Sequence, residues 1–166
     1  MTNRLQILQL DPDNSQDILL VKTGLLDFMK RQEFSLLYPD FVEWYQSKII
    51  PGFQYRERLI HIVMNNHNIC GTSIVKLSPT ETKLCNLVIA ADFRKKGIGA
   101  KLLESSLKAT TEIVKKYGYS PIIMATVAYE HRSLLGFLEK FGFTVKNTIT
   151  GIYRKGVDEY ILSADL

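Results

Sequence analysis

The residues most suited to binding chemistry form the segment RKKGIG, residues 94–99, where basic side chains precede a pair of glycines. Residues 84–89 just before it are short, mostly apolar and bounded by turn-prone residues, which predicts a buried strand. After Gly99, apolar residues recur at helical spacing as far as Tyr117. The glycines therefore lie where a strand passes into a helix. The first main-chain N–H groups of a helix have no intrahelical partner and carry the positive end of its dipole.

Such a helix start favours a phosphate group. Glycine has no Cβ atom to keep a phosphate away from the amides, and Arg94, Lys95, Lys96 and Lys101 add positive charge nearby. We therefore predict a pyrophosphate site here, with a plain strand-to-helix turn carrying solvated charges as the alternative. A P-loop is excluded because Gly-x4-Gly-Lys-Ser/Thr is absent. The dinucleotide fingerprint fits poorly, because its third glycine is replaced by Leu102.

Two motifs resemble those of one enzyme family. Residues 87–99, LVIAADFRKKGIG, resemble the acetyl-CoA-binding motif of the GNAT N-acetyltransferases, in which Arg/Gln-x-x-Gly-x-Gly/Ala follows a strand. Residues 137–143, FLEKFGF, resemble that family's second signature, Phe-Tyr-Glu-Lys-x-Gly-Phe. The motifs occur in the family's order, with a helix and a strand between them. The resemblance implies a single acetyltransferase domain over residues 1–166.

The element order needed to position these motifs is β-α-α-β-β-β-α-β-α-β-β, which predicts a mixed α/β domain with a central mixed sheet flanked by helices. We expect residues 59–89 to form an antiparallel meander, in which pairing Leu77 with Thr82 places Cys85 opposite Ile74. The second helix is expected to stop at residues 51–52, Pro-Gly.

The order of these elements is also that of the GNAT fold. There the fourth and fifth strands run parallel and splay apart, and the pantetheine arm of CoA inserts between them. The other expected strands span 4–10, 122–127, 143–149 and 157–162, and the other helices span 18–31 and 130–141.

The resemblance also implies which residues contact acetyl-CoA. Main-chain groups of the fourth strand would bind the pantetheine, with an N–H near Ile89 stabilising the oxyanion, and the amides of residues 95–100 would hold the pyrophosphate. His131 stands where the family often has an asparagine that contacts the cofactor. The expected cofactor-binding residues are Leu87, Val88, Ile89, Arg94, Lys95, Lys96, Gly97, Ile98, Gly99, Ala100 and His131.

Acetyl transfer to an amine requires removal of the amine proton, stabilisation of the oxyanion and departure of the thiolate. In the family the leaving-group acid is usually the tyrosine of the second motif, but this chain has Leu138 there. Tyr129 or Tyr153 could replace the missing tyrosine as the acid. Water could also protonate the departing CoA thiolate, which is a good leaving group because a thiol has a pKa of only about 8.5. Glu81 and Glu130 are the candidate bases. For each of these residues, an ordinary structural or solvated role is the alternative.

Composition limits the other classes of function. The net charge of +4 is too mild to predict nucleic-acid binding. No apolar run approaches the ~20 residues that cross a bilayer, the beginning of the chain lacks a signal-peptide core, and no metal-ligand spacing occurs. Cys70 and Cys85 are expected to be reduced, packed thiols. A cytoplasmic protein without a metal is therefore expected.

We predict an N-acetyltransferase that uses acetyl-CoA and an amine acceptor that the sequence does not specify. Homodimers are common in the family, so a homodimer is possible. The leucine at position 138 keeps a second interpretation open, in which the protein is a catalytically degenerate acyl-CoA-binding module.

Overall fold

The computed structural model of the chain describes residues 5–166, apart from the side chain of Phe34. Within this range one mixed sheet has the strand order β1-β2-β3-β4-β5-β7-β6, and helices cover both of its faces. Adjacent strands are antiparallel except for β4 and β5, which are parallel. The predicted mixed α/β class is confirmed. The strands are β1 (Leu5–Gln9), β2 (Arg58–Asn65), β3 (Asn68–Leu77), β4 (Thr82–Ile89), β5 (Ile122–Ala128), β6 (Thr144–Thr150) and β7 (Asp158–Asp165).

Seven α-helices lie in the described part of the chain, and two π-helical turns join some of them. The turn Val21–Leu25 connects α1 to α2, and the turn Tyr45–Ile49 connects α4 to α5. None of the described helices is long and apolar enough to cross a membrane. The helices are α1 (Ser15–Leu20), α2 (Leu26–Lys30), α3 (Glu33–Leu37), α4 (Phe41–Trp44), α5 (Ile50–Gln54), α6 (Ile98–Tyr117) and α7 (Arg132–Glu139).

The N-terminal helices differ from the sequence prediction in two places. Helix α3 was not predicted, and the second helical segment does not stop at Pro51 but continues to Gln54. Pro51 lies in the first turn of α5, where the missing N–H group is tolerated. The two π-helical turns contact each other, because the buried Tyr45 hydroxyl donates a hydrogen bond to the Val21 carbonyl at 2.8 Å.

The two faces of the sheet have separate apolar layers. Helices α1, α2, α4 and α5, with the two π-helical turns, pack on one face against Ile60, Ile62 and Ile74. Helices α6 and α7 pack on the other face, where Leu103 and Leu138 belong to a buried cluster. The cleft described below is lined by residues from both groups of helices, among them Trp44 of α4 and Phe137 of α7.

Strand β4 contains a β-bulge that the sequence did not indicate. Leu77 pairs with Thr82 as predicted, but the register shifts farther along, so that Ile74 faces Asn86. Cys85 is the extra residue on β4, and the prediction that it lies opposite Ile74 is therefore wrong. A bulge bends its strand and leaves one residue outside the regular ladder. Both cysteines are free thiols, as expected.

Candidate functional site

The sheet opens between its two parallel strands. β4 and β5 pair through Thr82, Lys83 and Leu84, and in the described structure their pairing ends there. The rest of β4 stays bonded to β3 as far as Ile89 opposite Gly71. Its other edge is left without a strand partner, and an unpaired strand edge presents main-chain donors and acceptors. A cleft of about 1100 Å³ opens at this point.

The N-terminus of α6 lies at one end of this cleft. Gly97 precedes the helix with a φ of 74° and gives it no side-chain cap. The Lys101 amide makes the first helical bond, to the Gly97 carbonyl at 3.2 Å. The three preceding amides, of residues 98–100, therefore have no intrahelical acceptor. Gly97 and Ala100 line the cleft itself.

Glycine at position 97 and glycine at position 99 are explained by different structural features. The positive φ of Gly97 favours glycine whatever the neighbours are. Gly99 is helical, and a Cβ placed on it would make only ordinary contacts, 3.6 Å from Ile89 Cγ1 and 3.8 Å from Phe137 Cζ. Packing within the protein therefore does not require glycine at position 99. An external group that approaches the amides closely does provide a reason.

The basic residues of this loop divide into two groups. Arg94 donates a hydrogen bond from Nε to the Ile89 carbonyl at 2.9 Å, and its guanidinium lies at the cleft with Lys95. Lys96 instead donates to the Asp92 carbonyl at 2.7 Å. The side chain of Ile98 is buried beneath the loop, so this residue offers only its main chain to a ligand.

Most of the expected cofactor-binding residues line the cleft. Lys96 and Ile98 are the exceptions among them. The lining residues from that set are Leu87, Val88, Ile89, Arg94, Lys95, Gly97, Gly99, Ala100 and His131.

The three candidate catalytic residues do not come together. Glu81 lines the cleft and is ion-paired to Lys76. The hydrogen bond from Lys76 holds the pKa of Glu81 below its ordinary value of 4.5, so the carboxylate is ionised at neutral pH. Tyr129 and Glu130 line a separate small pocket of about 190 Å³. There the Glu130 carboxylate lies 3.5 Å from the Arg154 guanidinium.

Leu138 points away from the cleft. Its side chain is 1% exposed and packs in the same cluster as Leu103 and Phe143. Tyr153, in the loop before β7, does line the cleft. Its hydroxyl oxygen accepts a hydrogen bond from Lys83 Nζ at 2.9 Å, and its ring meets Tyr38 edge-on with 6.0 Å between centroids.

Sequence reasoning missed the basic residues at the far end of the cleft. Arg58, Lys76 and Lys83 all line it. The strand register makes Lys76 the direct partner of both Arg58 and Lys83. A signal was available, because the predicted pairing of Leu77 with Thr82 already places Lys76 opposite Lys83.

Two polar groups of β4 complete this part of the cleft. Burial raises the pKa of the Cys85 thiol, so the thiol is protonated at neutral pH. Asn86 Oδ1 is buried and has no hydrogen-bond partner in the described structure. No group of histidine, cysteine, aspartate or glutamate suited to a metal ion occurs among the described residues.

A family comparison agrees with this arrangement. A model of the acetyltransferase (GNAT) family matches residues 26–143, which is most of the chain. The chain belongs to the GNAT acetyltransferase family. A comparison with curated protein sequences found no significant match.

Solved GNAT structures resemble this GNAT domain over nearly its whole length. A GNAT acetyltransferase from Streptococcus pneumoniae is 14% identical, with a TM-score of 0.71 over 98% of this chain and 99% of that one. One from Elizabethkingia anophelis with acetyl-CoA bound is 16% identical, with a TM-score of 0.62 over 100% of both chains. The PaiA N-acetyltransferase from Thermoplasma acidophilum, in complex with coenzyme A, is 18% identical, with a TM-score of 0.65 over 98% of this chain and 99% of that one. At these identities the likeness demonstrates the GNAT fold alone.

Proposed function

We propose that the protein is an acetyl-CoA-dependent N-acetyltransferase that acetylates a primary amine. The observation that carries this proposal is the unpaired edge of β4, which leads directly to the bare amides at the start of α6. The pantetheine arm of CoA carries amide groups that complement a strand edge, and its pyrophosphate complements a helix N-terminus. Solved relatives with acetyl-CoA or coenzyme A bound support the assignment.

The residues around the cleft fit such a cosubstrate. Main-chain groups of Leu87, Val88 and Ile89 would hold the pantetheine, and the amides of residues 98–100 would hold the pyrophosphate, with Arg94 and Lys95 beside them. The open space over Gly97 and the lack of a packing reason for glycine at position 99 agree with this placement. When bound, acetyl-CoA supplies an activated thioester.

The amine must lose a proton before it can react. Of the two candidate bases, Glu81 is the one that lines the cleft, and its lowered pKa leaves it ionised and able to accept that proton. The gap between β4 and β5 begins at Cys85, four residues or ~13 Å of strand from Glu81. An amine that reacts in this gap would pass its proton to Glu81 through water rather than directly.

A proton donor is also needed for the leaving sulfur, and Tyr153 can fill this role. Lys83 donates a hydrogen bond to its oxygen, which leaves the phenolic hydrogen available for transfer. The ammonium charge also favours the phenolate that remains after the transfer. Tyr129 lines the separate small pocket with Glu130, and Leu138 is in the core, so neither is placed for this step.

The proposal is tested with two measurements on the purified protein. Calorimetry should detect acetyl-CoA binding, and a thiol assay with a panel of primary amines should detect CoA release that depends on the acceptor. Mass spectrometry of the product should then show an acetyl group on nitrogen. Failure to bind acetyl-CoA at millimolar concentration would reject both the enzyme and any acyl-CoA-binding role.

A second function is favoured by one observation, the burial of Leu138 where the family motif has tyrosine. In this alternative the protein binds acetyl-CoA and does not turn it over. Tight acetyl-CoA binding with no thiol release across the amine panel would favour the binding module over the enzyme.

A further inference from the structure

Three basic side chains lie side by side at the end of the cleft that is farther from α6. Arg58 on β2, Lys76 on β3 and Lys83 on β4 are register partners, so they project from the same face of the sheet. All three line the cleft. Like charges directly opposite each other on neighbouring strands are destabilising, so this row of cations needs compensation.

The protein compensates the row only in part. Lys76 is ion-paired to Glu81, and Lys83 donates to the neutral hydroxyl of Tyr153. Arg58 donates from Nη1 to the carbonyl of its neighbour Glu57 at 2.9 Å. Its Nε atom is buried and has no hydrogen-bond partner among the described residues. A buried donor without an acceptor costs free energy, and this one lies against Gly52.

The three charges act on a common region of the cleft. The carboxylate of Glu81 is stabilised electrostatically by Lys76, Lys83 and Arg58. At the Cys85 thiol, the same three cations oppose the effect of burial. Glu81 immediately precedes β4 and Cys85 lies within it, so an anion between them would be attracted by three cations and repelled by the single Glu81 carboxylate.

This row is separate from the phosphate end of the cleft. Lys83 is near the start of β4, and the loop that leads to α6 begins after Ile89, six residues later. Six strand residues span ~20 Å. In contrast, Lys83 is only two residues, or ~7 Å of strand, from Cys85, where β4 and β5 have separated. The row therefore lies where the two parallel strands separate, next to Tyr153, the proposed proton donor to the leaving sulfur.

We propose that Arg58, Lys76 and Lys83 bind a carboxylate of the acceptor, so that the substrate carries both a primary amine and a carboxylate. This inference rests on the proposed N-acetyltransferase function. A guanidinium binds a carboxylate through two parallel hydrogen bonds, and the adjacent ammonium group adds charge. A free amino acid and a peptide with an acidic side chain near its amino end share this chemistry.

The first experiment compares acceptors that differ only in charge. Acetylation of β-alanine and glycine by the wild-type protein is measured against acetylation of their amides, with a short peptide that has an acidic second residue as a further acceptor. The free amino acids should have kcat/KM at least tenfold higher than their amides. A preference for the peptide over the free amino acids would identify the peptide as the source of the carboxylate.

The second experiment removes charges from the row. Lys83→Gln and Arg58→Gln should each lower the ratio of kcat/KM for β-alanine over its amide by about tenfold. The ratio cancels any common loss of rate through Tyr153. Arg58 also packs against Gly52, so Lys83→Gln provides the same test with less disturbance of packing. Lys108→Gln, at an exposed position on α6, is the matched control and should leave the ratio unchanged.

The outcomes separate this inference from the proposed function. Equal kcat/KM for carboxylate and amide acceptors would overturn the inference while acetyl transfer stands. If no amine releases CoA, the enzymatic proposal fails, and with it the acceptor role of the row. Calorimetry of β-alanine binding to the CoA complex then decides what remains: binding that Lys83→Gln abolishes would retain the row as a carboxylate-binding site, and no binding would overturn the inference entirely. A variant that loses affinity for CoA but not for dephospho-CoA would assign the row to the cosubstrate's ribose phosphate and overturn the inference.

Discussion

The two ends of the cleft are built from different parts of the polypeptide. At the proposed phosphate end, the candidate binding groups are main-chain amides of consecutive residues, 98–100, next to the positive φ of Gly97. At the proposed acceptor end, the groups are side chains of Arg58, Lys76 and Lys83, which come from three strands. The first site is local in the sequence, and the second is assembled by strand pairing.

This difference affects how each end can change. A main-chain site depends on backbone conformation and on the absence of obstructing side chains, so it tolerates little variation. A side-chain site can be altered by single substitutions without disturbing the ladder that carries it. Cosubstrate binding and acceptor choice are therefore expected to respond to different substitutions, and the following predictions test that separation.

The largest expected effect is at the acceptor end. Tyr153→Phe should lower kcat by about a hundredfold or more, because a positioned general acid typically contributes 10²–10⁴-fold. The Kd for acetyl-CoA should stay the same. Tyr129→Phe, in the small separate pocket, should leave kcat within about threefold of wild type. Steady-state kinetics and calorimetry on both variants provide the measurements.

Indifference of kcat to Tyr153→Phe would show that thiolate departure does not need this tyrosine. A hundredfold loss in Tyr129→Phe instead would assign the acid to the small pocket.

The next effect is at the phosphate end. Gly97→Asp should raise the Kd for acetyl-CoA by more than about tenfold, because it adds negative charge beside the amides that are to hold the pyrophosphate. The matched control is Gly118→Asp at the other end of α6. Gly118 also has a positive φ, of 66°, and an added Cβ meets nothing within 4 Å at either glycine.

Both variants place an L-residue in the left-handed region, which costs ~1–2 kcal/mol of stability. Gly97→Asp should lose less than Gly118→Asp, because a carboxylate is favourable at a helix N-terminus and unfavourable at a C-terminus. An equal loss of acetyl-CoA affinity in the two variants would mean that strain in the helix, rather than the phosphate site, is responsible. The KM for the acceptor should not change in either.

A substitution at the second motif should affect neither end. Leu138→Tyr restores the residue type of the family motif, but the side chain at this position lies in the core. We expect a loss of about 1–3 kcal/mol in the free energy of unfolding from overpacking, and no rise in kcat. Leu19→Tyr, at an exposed position on α1, should change stability by less than about 0.5 kcal/mol.

Urea unfolding measures the stability of both variants. A rise in kcat for Leu138→Tyr would mean that position 138 reaches the cleft during turnover.

The smallest effect concerns the ion pair within the row of cations. The folded-state pKa of Glu81 is below its ordinary value of 4.5, so the ion pair stabilises the fold above that pH and loses its contribution as the pH falls through the folded-state pKa. Glu81→Gln should therefore be less stable than wild type at pH 6–7 by a small amount, and the difference should shrink below about pH 4.5. Urea unfolding of both proteins across this range tests it. A difference that grows on acidification would contradict the pairing of Glu81 with Lys76.

Much of the fold could be predicted because its signals are local. The alternation and apolar runs of β2 to β5 and the periodicity of α6 up to Tyr117 gave elements whose bounds differ from the structure by only a few residues. The unpredicted features depend on neighbours. Pro51 is accommodated because a new helix, α5, begins just before it and places it in the first turn, and Leu138 is placed in the core by the packing of α7 on the sheet.

The candidate site divides in the same way. By itself, the sequence determined the mixed α/β class and predicted the phosphate end of the cleft, because helix periodicity and the conformational freedom of glycine act within a few residues. Only the tertiary structure decided the acceptor end. Strand register places Arg58 and Lys83 on either side of Lys76, and one bulge at Cys85 moves Asn86 opposite Ile74. Cross-strand neighbours depend on the pairing of distant segments, and a shift of one residue reverses which side chains face the cleft.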